Sequence, residues 1–294
     1  MIRSLFPVLI TGVFISCAVP TEDETNYSAI NSSLPDLNWE DGIEIVTWNI
    51  ENFPKAGQQT IDSVAIILKI LNADIYCLQE ISSESEFMQL AERLDGYNIV
   101  YSTVTEYLNL AILYRSGSIT LRNQTNLFSD YSYEFASRPP LRTEMTFLGD
   151  KSIDFTLINL HLKCCNNGFN RRVASAELLH SFLLESSAAG VVNQIVVGDW
   201  NDDISDNPSV NSFTIFLNDT LNFSFMTWDL ANAESDVFDS YPGYPSFIDH
   251  ILISSDLFDE AGSGDVQTMR LGDYISNYDE LISDHRPVVW RFKP

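Results

Sequence analysis

Positive charge is scarce in this sequence. Sixteen lysines and arginines stand against 41 aspartates and glutamates, a formal charge of −25. Such a body repels polyanions at long range, which excludes tight non-specific nucleic-acid binding through a broad basic surface. Cysteine is scarce as well: there are four, and no Cys-x-x-Cys pair exists, so a structural zinc site has no ligand frame. There is no Gly-rich phosphate loop, which leaves nucleotide-driven phosphoryl transfer unsupported. A Gly-x-Ser-x-Gly nucleophile elbow is missing too. The leading apolar run, residues 5–15, is too short to span a bilayer as a permanent helix.

What the N-terminus does contain reads as an address. Arg3 precedes the apolar run, which ends Phe14-Ile15-Ser16-Cys17 and resembles the lipobox of bacterial lipoproteins. Residues 1–16 are expected to be a signal peptide. Cys17 would then carry lipid and anchor the chain at the bacterial cell envelope. Phe14 stands where a Leu is usual, so plain secretion is the alternative. Residues 17–42 are acidic and Ser/Asn/Pro-rich without periodicity, as in a flexible tether. Residues 43–294 would form one domain, large enough at 45% hydrophobic content to bury a full core. Of the remaining cysteines, Cys77 lies in an apolar strand and reads as an inert buried thiol. Cys164 and Cys165 are neighbours; either a strained vicinal disulfide or two reduced thiols fits an exported chain.

Strand patterns fall at 43–48, 74–79, 97–102, 109–114, 119–128, 142–148, 153–160, 195–199, 248–253 and 288–292. Helical spacing marks 60–71, 85–94 and 171–184, with a short helix expected at 208–217. Helices interrupt runs of strands, so a single-domain α/β sandwich suits the order better than a doubly wound parallel sheet.

Polar groups recur where these strands end. The stretch 195–203 reads Ile-Val-Val-Gly-Asp-Trp-Asn-Asp-Asp, and in extended chain Asp199 and Asn201 share a face. Other strand ends carry Asn49, Glu80, His161 and Asp249, and the C-terminal stretch adds Asp284 and His285. A carboxylate closing a buried strand is costly unless paired or metal-bound. Carboxylate oxygens suit Mg²⁺ or Mn²⁺, with Ca²⁺ a further candidate, better than zinc. Hydrolysis of a phosphate ester needs a cation, a base for water, donors to the phosphate and a proton for the leaving group, and these residues can supply them. The scarce basic residues concentrate in one region, Arg138, Arg142, Lys151, Lys163, Arg171 and Arg172, as a local positive funnel would require.

The ordered set Trp-Asn-Ile-Glu-Asn (48–52), Leu-Gln-Glu (78–80), Asn-Leu-His-Leu-Lys (159–163), Gly-Asp-Trp-Asn-Asp (198–202), Ile-Asp-His-Ile (248–251) and Ser-Asp-His-Arg-Pro (283–287) resembles the endonuclease/exonuclease/phosphatase family. Each motif alone is weak; their order makes the signal. The resemblance implies a four-layer α/β/β/α sandwich of the deoxyribonuclease type, with the site at one end of the packed sheets. It implies that Glu80 is the principal metal ligand, that Asn49 holds phosphate or a metal-bound water, and that Asp284 binds metal directly or through water. Asp199 would activate the attacking water, Asn201 would donate to the phosphate, and Asp249 would orient His285. His161 matches a His that contacts phosphate or the leaving group in the deoxyribonuclease and sphingomyelinase branches. Arg138, Lys163 and Arg171 are candidates to hold substrate.

The resemblance leaves the substrate open. A metal-dependent phosphodiesterase acting on nucleic acid is the first expectation, by a monomer; a lipid or small phosphoester is the second, which a membrane anchor would favour. An inactive binding protein of the same fold is the alternative from another class. Leu108 and Asn109 occupy the place where deoxyribonucleases carry a Glu, with Glu106 out of step, and Arg138-Pro139-Pro140 replaces their Arg-Glu-Pro. The loop Cys164-Cys165-Asn166-Asn167-Gly168 after His161 matches none of these branches.

Overall fold

A computed structural model describes residues 34–105 and 108–294. Its strands in chain order are β1 (Ile43–Phe53), β2 (Ile75–Ile81), β3 (Tyr97–Tyr101), β4 (Asn109–Arg115), β5 (Ile119–Asn126) and β6 (Leu141–Leu148). Then follow β7 (Ser152–His161), β8 (Gln194–Asp199), β9 (Phe223–Phe225), β10 (Asp249–Ser254), β11 (Asp265–Thr268) and β12 (Val288–Phe292). They form two six-stranded sheets, ordered β11-β12-β1-β2-β4-β3 and β5-β6-β7-β8-β10-β9.

Side-chain alternation decides how the sheets stack. β1 sends Ile43 and Ile45 into one apolar cluster, and Val46, Trp48 and Ile50 into another. In β8, Ile195 and Val197 join the first of these clusters, whereas Val196 points the opposite way into a third. The shared cluster lies between the sheets. Helices α1 (Gln58–Leu71) and α2 (Glu84–Ala91) cover the outer face of the first sheet through Ile61, Val64, Leu68, Phe87 and Leu90. Helix α3 (Phe169–Ala188) covers the second through Ala176, Leu179 and Leu183. Three apolar layers between four layers of structure make the expected α/β/β/α sandwich. Each fully buried Leu, Ile or Phe in these layers contributes about 1.5–3 kcal/mol.

Two parallel pairs sit near the middle, β1–β2 joined through α1 and β7–β8 joined through α3. The C-terminal ends of all four strands open on the same side, and the site is built there.

Some elements differ from their sequence signals. Over 208–217 the only helix is α4 (Thr214–Asn218). Upstream, Asp203, Asn207 and Asn211 side chains accept from Ser205, Ser209 and Phe213 amides, so local turns outcompete the helix. The short edge strands β9 and β11 carry too few residues for a periodic signal. Residues 34–42, expected as the end of a free tether, lie against the domain: Leu34 and Leu37 are buried in its outer apolar layer, and the Leu37 amide donates to Leu71 O at 2.8 Å. Cys17, the signal peptide and the lipid anchor fall outside the described residues, as does Glu106. No described helix is long and apolar enough to cross a membrane.

Candidate active site

The alternation that fills the inter-sheet core also aims the site residues. Asn49 continues the face of Ile43 and Ile45, His161 that of Phe155 and Leu157, Asp199 that of Ile195 and Val197, and Asp249 that of Ile251 and Ile253. Register then sets them side by side. Asp199 is the cross-strand partner of His161 on one flank and of Asp249 on the other. The close approach of β7 to β8 depends on Gly198, at φ 148°, where a Cβ would lie 2.0 Å from Leu160 O.

Glu80 arrives by a different route. Strict alternation would send it with Tyr76 and Leu78 into the outer core. Instead the pairing of β2 with β4 slips between Leu78 and Ile81, and Glu80 adopts φ 62°. The bulge turns its carboxylate into the cleft, where Oε1 accepts from Asn49 Nδ2 at 3.2 Å and Oε2 from the Asn52 amide at 3.0 Å. His285 comes from the loop before β12, which is pinned to β1 by Ser283 Oγ donating to Asn49 O (2.6 Å), and the nearby Tyr278 OH donates to His285 O (2.6 Å).

Asp249 Oδ2 lies 2.8 Å from His285 Nδ1, fixing the ring. His285 Nε2 then faces Asp199 Oδ2 and Asp284 Oδ1, each at 3.9 Å. His161 Nε2 lies 3.4 Å from the same Asp199 oxygen and 3.7 Å from Glu80 Oε1. Asn49 Nδ2 donates to Asp199 Oδ2 at 3.0 Å, and the Asn201 amide donates to Asp199 Oδ1 at 2.9 Å. Burial opposes charge on His285, but Asp249, Asp199 and Asp284 outweigh it and raise the ring to about 10. His161, buried and close to Arg138, is held well below the ordinary imidazole value and stays neutral. Burial, reinforced by Asp249 and Glu80, raises Asp199 to about 7, although His285 pulls the other way. One histidine is thus charged and one neutral, with a carboxylate poised between them.

The donor set fits a hard divalent cation. Burial raises Asp284 to about 6, with Glu51 and Glu80 adding to the shift against His285, so several carboxylates converge here around the one charged ring of His285. Asp284 Oδ1 is buried without a hydrogen-bond partner. Ligand atoms of Asp199, Asp249 and His285 also lie within 4.8 Å of one another, with Asp249 already bonded to His285 Nδ1. Glu80 and Asp284 remain as the residues that would hold the ion. Asn49, expected beside the metal, has its carbonyl oxygen accepting from the Glu51 amide (3.0 Å) and its NH₂ bridging Glu80 and Asp199.

These groups floor a cleft of about 1050 Å³, and Arg138, Lys163 and Arg171 line it as expected. Their freedom is less than expected. Arg138 donates to the backbone oxygens of His161 (3.1 Å) and Leu162 (2.6 Å). Arg172 is buried, bonded to Lys163 O and Cys165 O and paired with Asp202 at 3.3 Å. Arg142 lies outside the cleft lining and pairs with Glu144 at 2.8 Å. The basic wall is therefore Lys163 and Arg171, the latter lying 4.5 Å from the Tyr133 ring centroid with its Nε donating to Tyr133 O at 2.6 Å. Two contacts are not foreseen from the sequence. Tyr241 packs its ring 4.9 Å from that of His285. Beneath the site, Gln79 and Asn159 join the sheets: Gln79 Nε2 donates to Asn159 Oδ1 (2.8 Å), and Asn159 Nδ2 to Leu78 O and Ala111 O (3.0 Å each).

A profile of the Endonuclease/Exonuclease/phosphatase family matches residues 46–285. Comparison with curated protein sequences finds no match. Among solved structures, D. rerio TDP2 complexed with single strand DNA product superposes with a TM-score of 0.65 at 16% identity, covering 87% of this chain and 100% of its own. The human Nocturnin catalytic domain with bound sulfate anion gives 0.61 at 17% identity, covering 88% and 99%. A Bacteroides thetaiotaomicron mannosyl-6-phosphatase gives 0.61 at 18% identity, covering 85% and 99%. At such identities these likenesses speak for the fold.

Proposed function

The chain belongs to the endonuclease/exonuclease/phosphatase family, and from that premise we propose a phosphoester hydrolase that depends on Mg²⁺ or Mn²⁺ and attacks with an activated water. One observation carries the reading: Asp199 sits between a neutral His161 and the charged ring of the Asp249–His285 pair, beside the carboxylates of Glu80 and Asp284. Glu80 and Asp284 would hold a divalent cation, which supplies positive charge to a phosphoryl oxygen. Asp199, held near 7, accepts the proton of the attacking water. His161 and Asn201 donate to the phosphoryl oxygens. His285, kept protonated by Asp249, presents Nε2 to the developing charge. Lys163 and Arg171 hold the rest of the substrate.

Among phosphoesters, the thin basic wall favours a small substrate or the end of a short strand over the body of a duplex. The names of two similar structures, a phosphatase of a sugar phosphate and TDP2 with a single-strand DNA product, support both kinds. Turnover of bis-p-nitrophenyl phosphate that requires added Mg²⁺ or Mn²⁺ and stops with chelator tests the enzyme reading. Failure on that ester and on DNA, RNA, sphingomyelin, sugar phosphates and inositol phosphates would leave a binding protein. Envelope attachment rests on Arg3, the apolar run at 5–15 and Cys17. Cys17→Ser should then release the mature chain from detergent into water on phase partition.

A further inference from the structure

Cys164 and Cys165 have no part in hydrolysis, yet both line the catalytic cleft, three and four residues after His161. Their sulfurs stand 2.8 Å apart, as free thiols. Two donors converge on one of them: Cys165 S–H points at Cys164 Sγ, and Lys163 Nζ lies 3.3 Å from the same atom. The backbone around them is held fast. Arg172 Nη1 donates to Lys163 O at 2.9 Å and to Cys165 O at 3.0 Å, and the Gly168 amide donates to Cys165 O at 2.9 Å. A Cβ at Gly168 would lie 2.6 Å from Lys163 O, so the loop closes this tightly only with glycine. Cys165 sits at φ 70°, which turns its exposed side chain back toward Cys164.

We propose that this dithiol is a reversible modification site, oxidised to a vicinal disulfide by a small disulfide such as glutathione disulfide, with Cys164 as the attacking sulfur. An ammonium and an S–H donor both converge on Cys164 Sγ, so Cys164 is the sulfur placed to attack. As thiolate it attacks one sulfur of glutathione disulfide; the S–S bond breaks, and glutathione leaves as thiolate. Cys165 then attacks the Cys164 sulfur of the mixed disulfide and expels the second glutathione. The two thiol protons end on the two glutathiones, so the protein loses two electrons and the oxidant gains them. Adjacent Cα atoms are only ~3.8 Å apart across a trans peptide, below the usual range for a disulfide. Such a strained, exposed bond reduces readily, which suits a switch better than a staple.

Oxidation also changes the cleft. In the disulfide Cys164 Sγ is bonded to Cys165, and Lys163 loses the sulfur acceptor that now holds its ammonium at 3.3 Å. Lys163 then turns to substrate. This part rests on the phosphoesterase reading; the thiol chemistry does not.

Treating the folded protein with glutathione disulfide, quenching in acid, alkylating and counting thiols on the peptide holding both residues tests the site. Wild type should lose both thiols and retain no glutathione. Cys165→Ser should keep glutathione on Cys164, and Cys164→Ser should react at least ~10-fold more slowly at Cys165, the gap expected when a single thiol has an ammonium beside it. Two alkylatable thiols, or glutathione persisting on wild type, would overturn the proposal. The KM for bis-p-nitrophenyl phosphate should fall about two- to fivefold on oxidation, the range of one exposed ion pair, and not in Cys164→Ser. An equal KM in both redox states overturns the coupling to Lys163. The thiol count holds or fails whether or not the protein hydrolyses esters, so the two failures are distinguishable.

Discussion

His285 and Asp249 can be separated from Glu80 by what each does when removed. The Asp249–His285 bond keeps the ring charged and leaves Nε2 for the phosphate. His285→Ala should cut kcat by something like 10²–10⁴-fold, the usual cost of a lost acid/base group, with metal affinity nearly intact. Asp249→Asn should act in the same direction, and the double variant should lose little more, because the two act as one unit. Glu80→Gln should weaken metal binding itself, with partial rescue by excess Mg²⁺ or Mn²⁺. Titrating metal against turnover in each variant reads both quantities; equal loss of metal affinity in His285→Ala and Glu80→Gln would break the division of roles. Gly198 carries a purely structural prediction. The Cβ of Gly198→Ala would meet Leu160 O at 2.0 Å, so β7 and β8 must part, at a cost of ~2–4 kcal/mol in chemical denaturation.

At the scale of the element, the site was legible wherever simple alternation held. Asn49, His161, Asp199 and Asp249 follow from period-two faces, and those strands were visible as apolar runs. Glu80 followed from its motif, not its parity, because the bulge that turns it inward leaves no mark in composition. The Gln79–Asn159 bridge was illegible for a related reason: both residues stand in the motifs, but no pattern within one strand shows a contact between two sheets. Asn159→Ala would leave Leu78 O and Ala111 O without their Asn159 donor in the core, costing about 1–3 kcal/mol; a urea melt checks it. A second buried group lies in β1. Burial, then the neighbouring Asp74, raises Glu44 from 4.5 to about 8. Between those values the folded chain holds a proton that the unfolded chain has released, so stability should fall as pH rises through that window. Glu44→Gln should flatten this part of the slope, seen by comparing denaturant midpoints of both proteins at about pH 5 and about pH 8.5. An unchanged slope would place the Glu44 titration elsewhere.

For the molecule as a whole, charge and cleft pull a polyanion in opposite directions. The body carries −25, whereas the basic wall of the cleft comes down to Lys163 and Arg171. A cluster of basic residues in sequence suggested a steering funnel. Folding spends Arg138 and Arg172 on backbone carbonyls and Arg142 on Glu144, contacts that no spacing rule could show. Long-range repulsion then outweighs local attraction. Raising ionic strength from about 0.01 to 0.15 M shortens the Debye length from ~30 to ~8 Å, which screens the distant acidic body more than a substrate already in contact with Lys163. For a long single strand, kcat/KM should therefore rise with added salt, against the fall that a positive funnel would give. For bis-p-nitrophenyl phosphate, a small monoanion, the same change should matter little. A kcat/KM for the long strand that falls steeply with salt would mean that the cleft attracts from a distance after all, and would return nucleic acid to first place among its substrates.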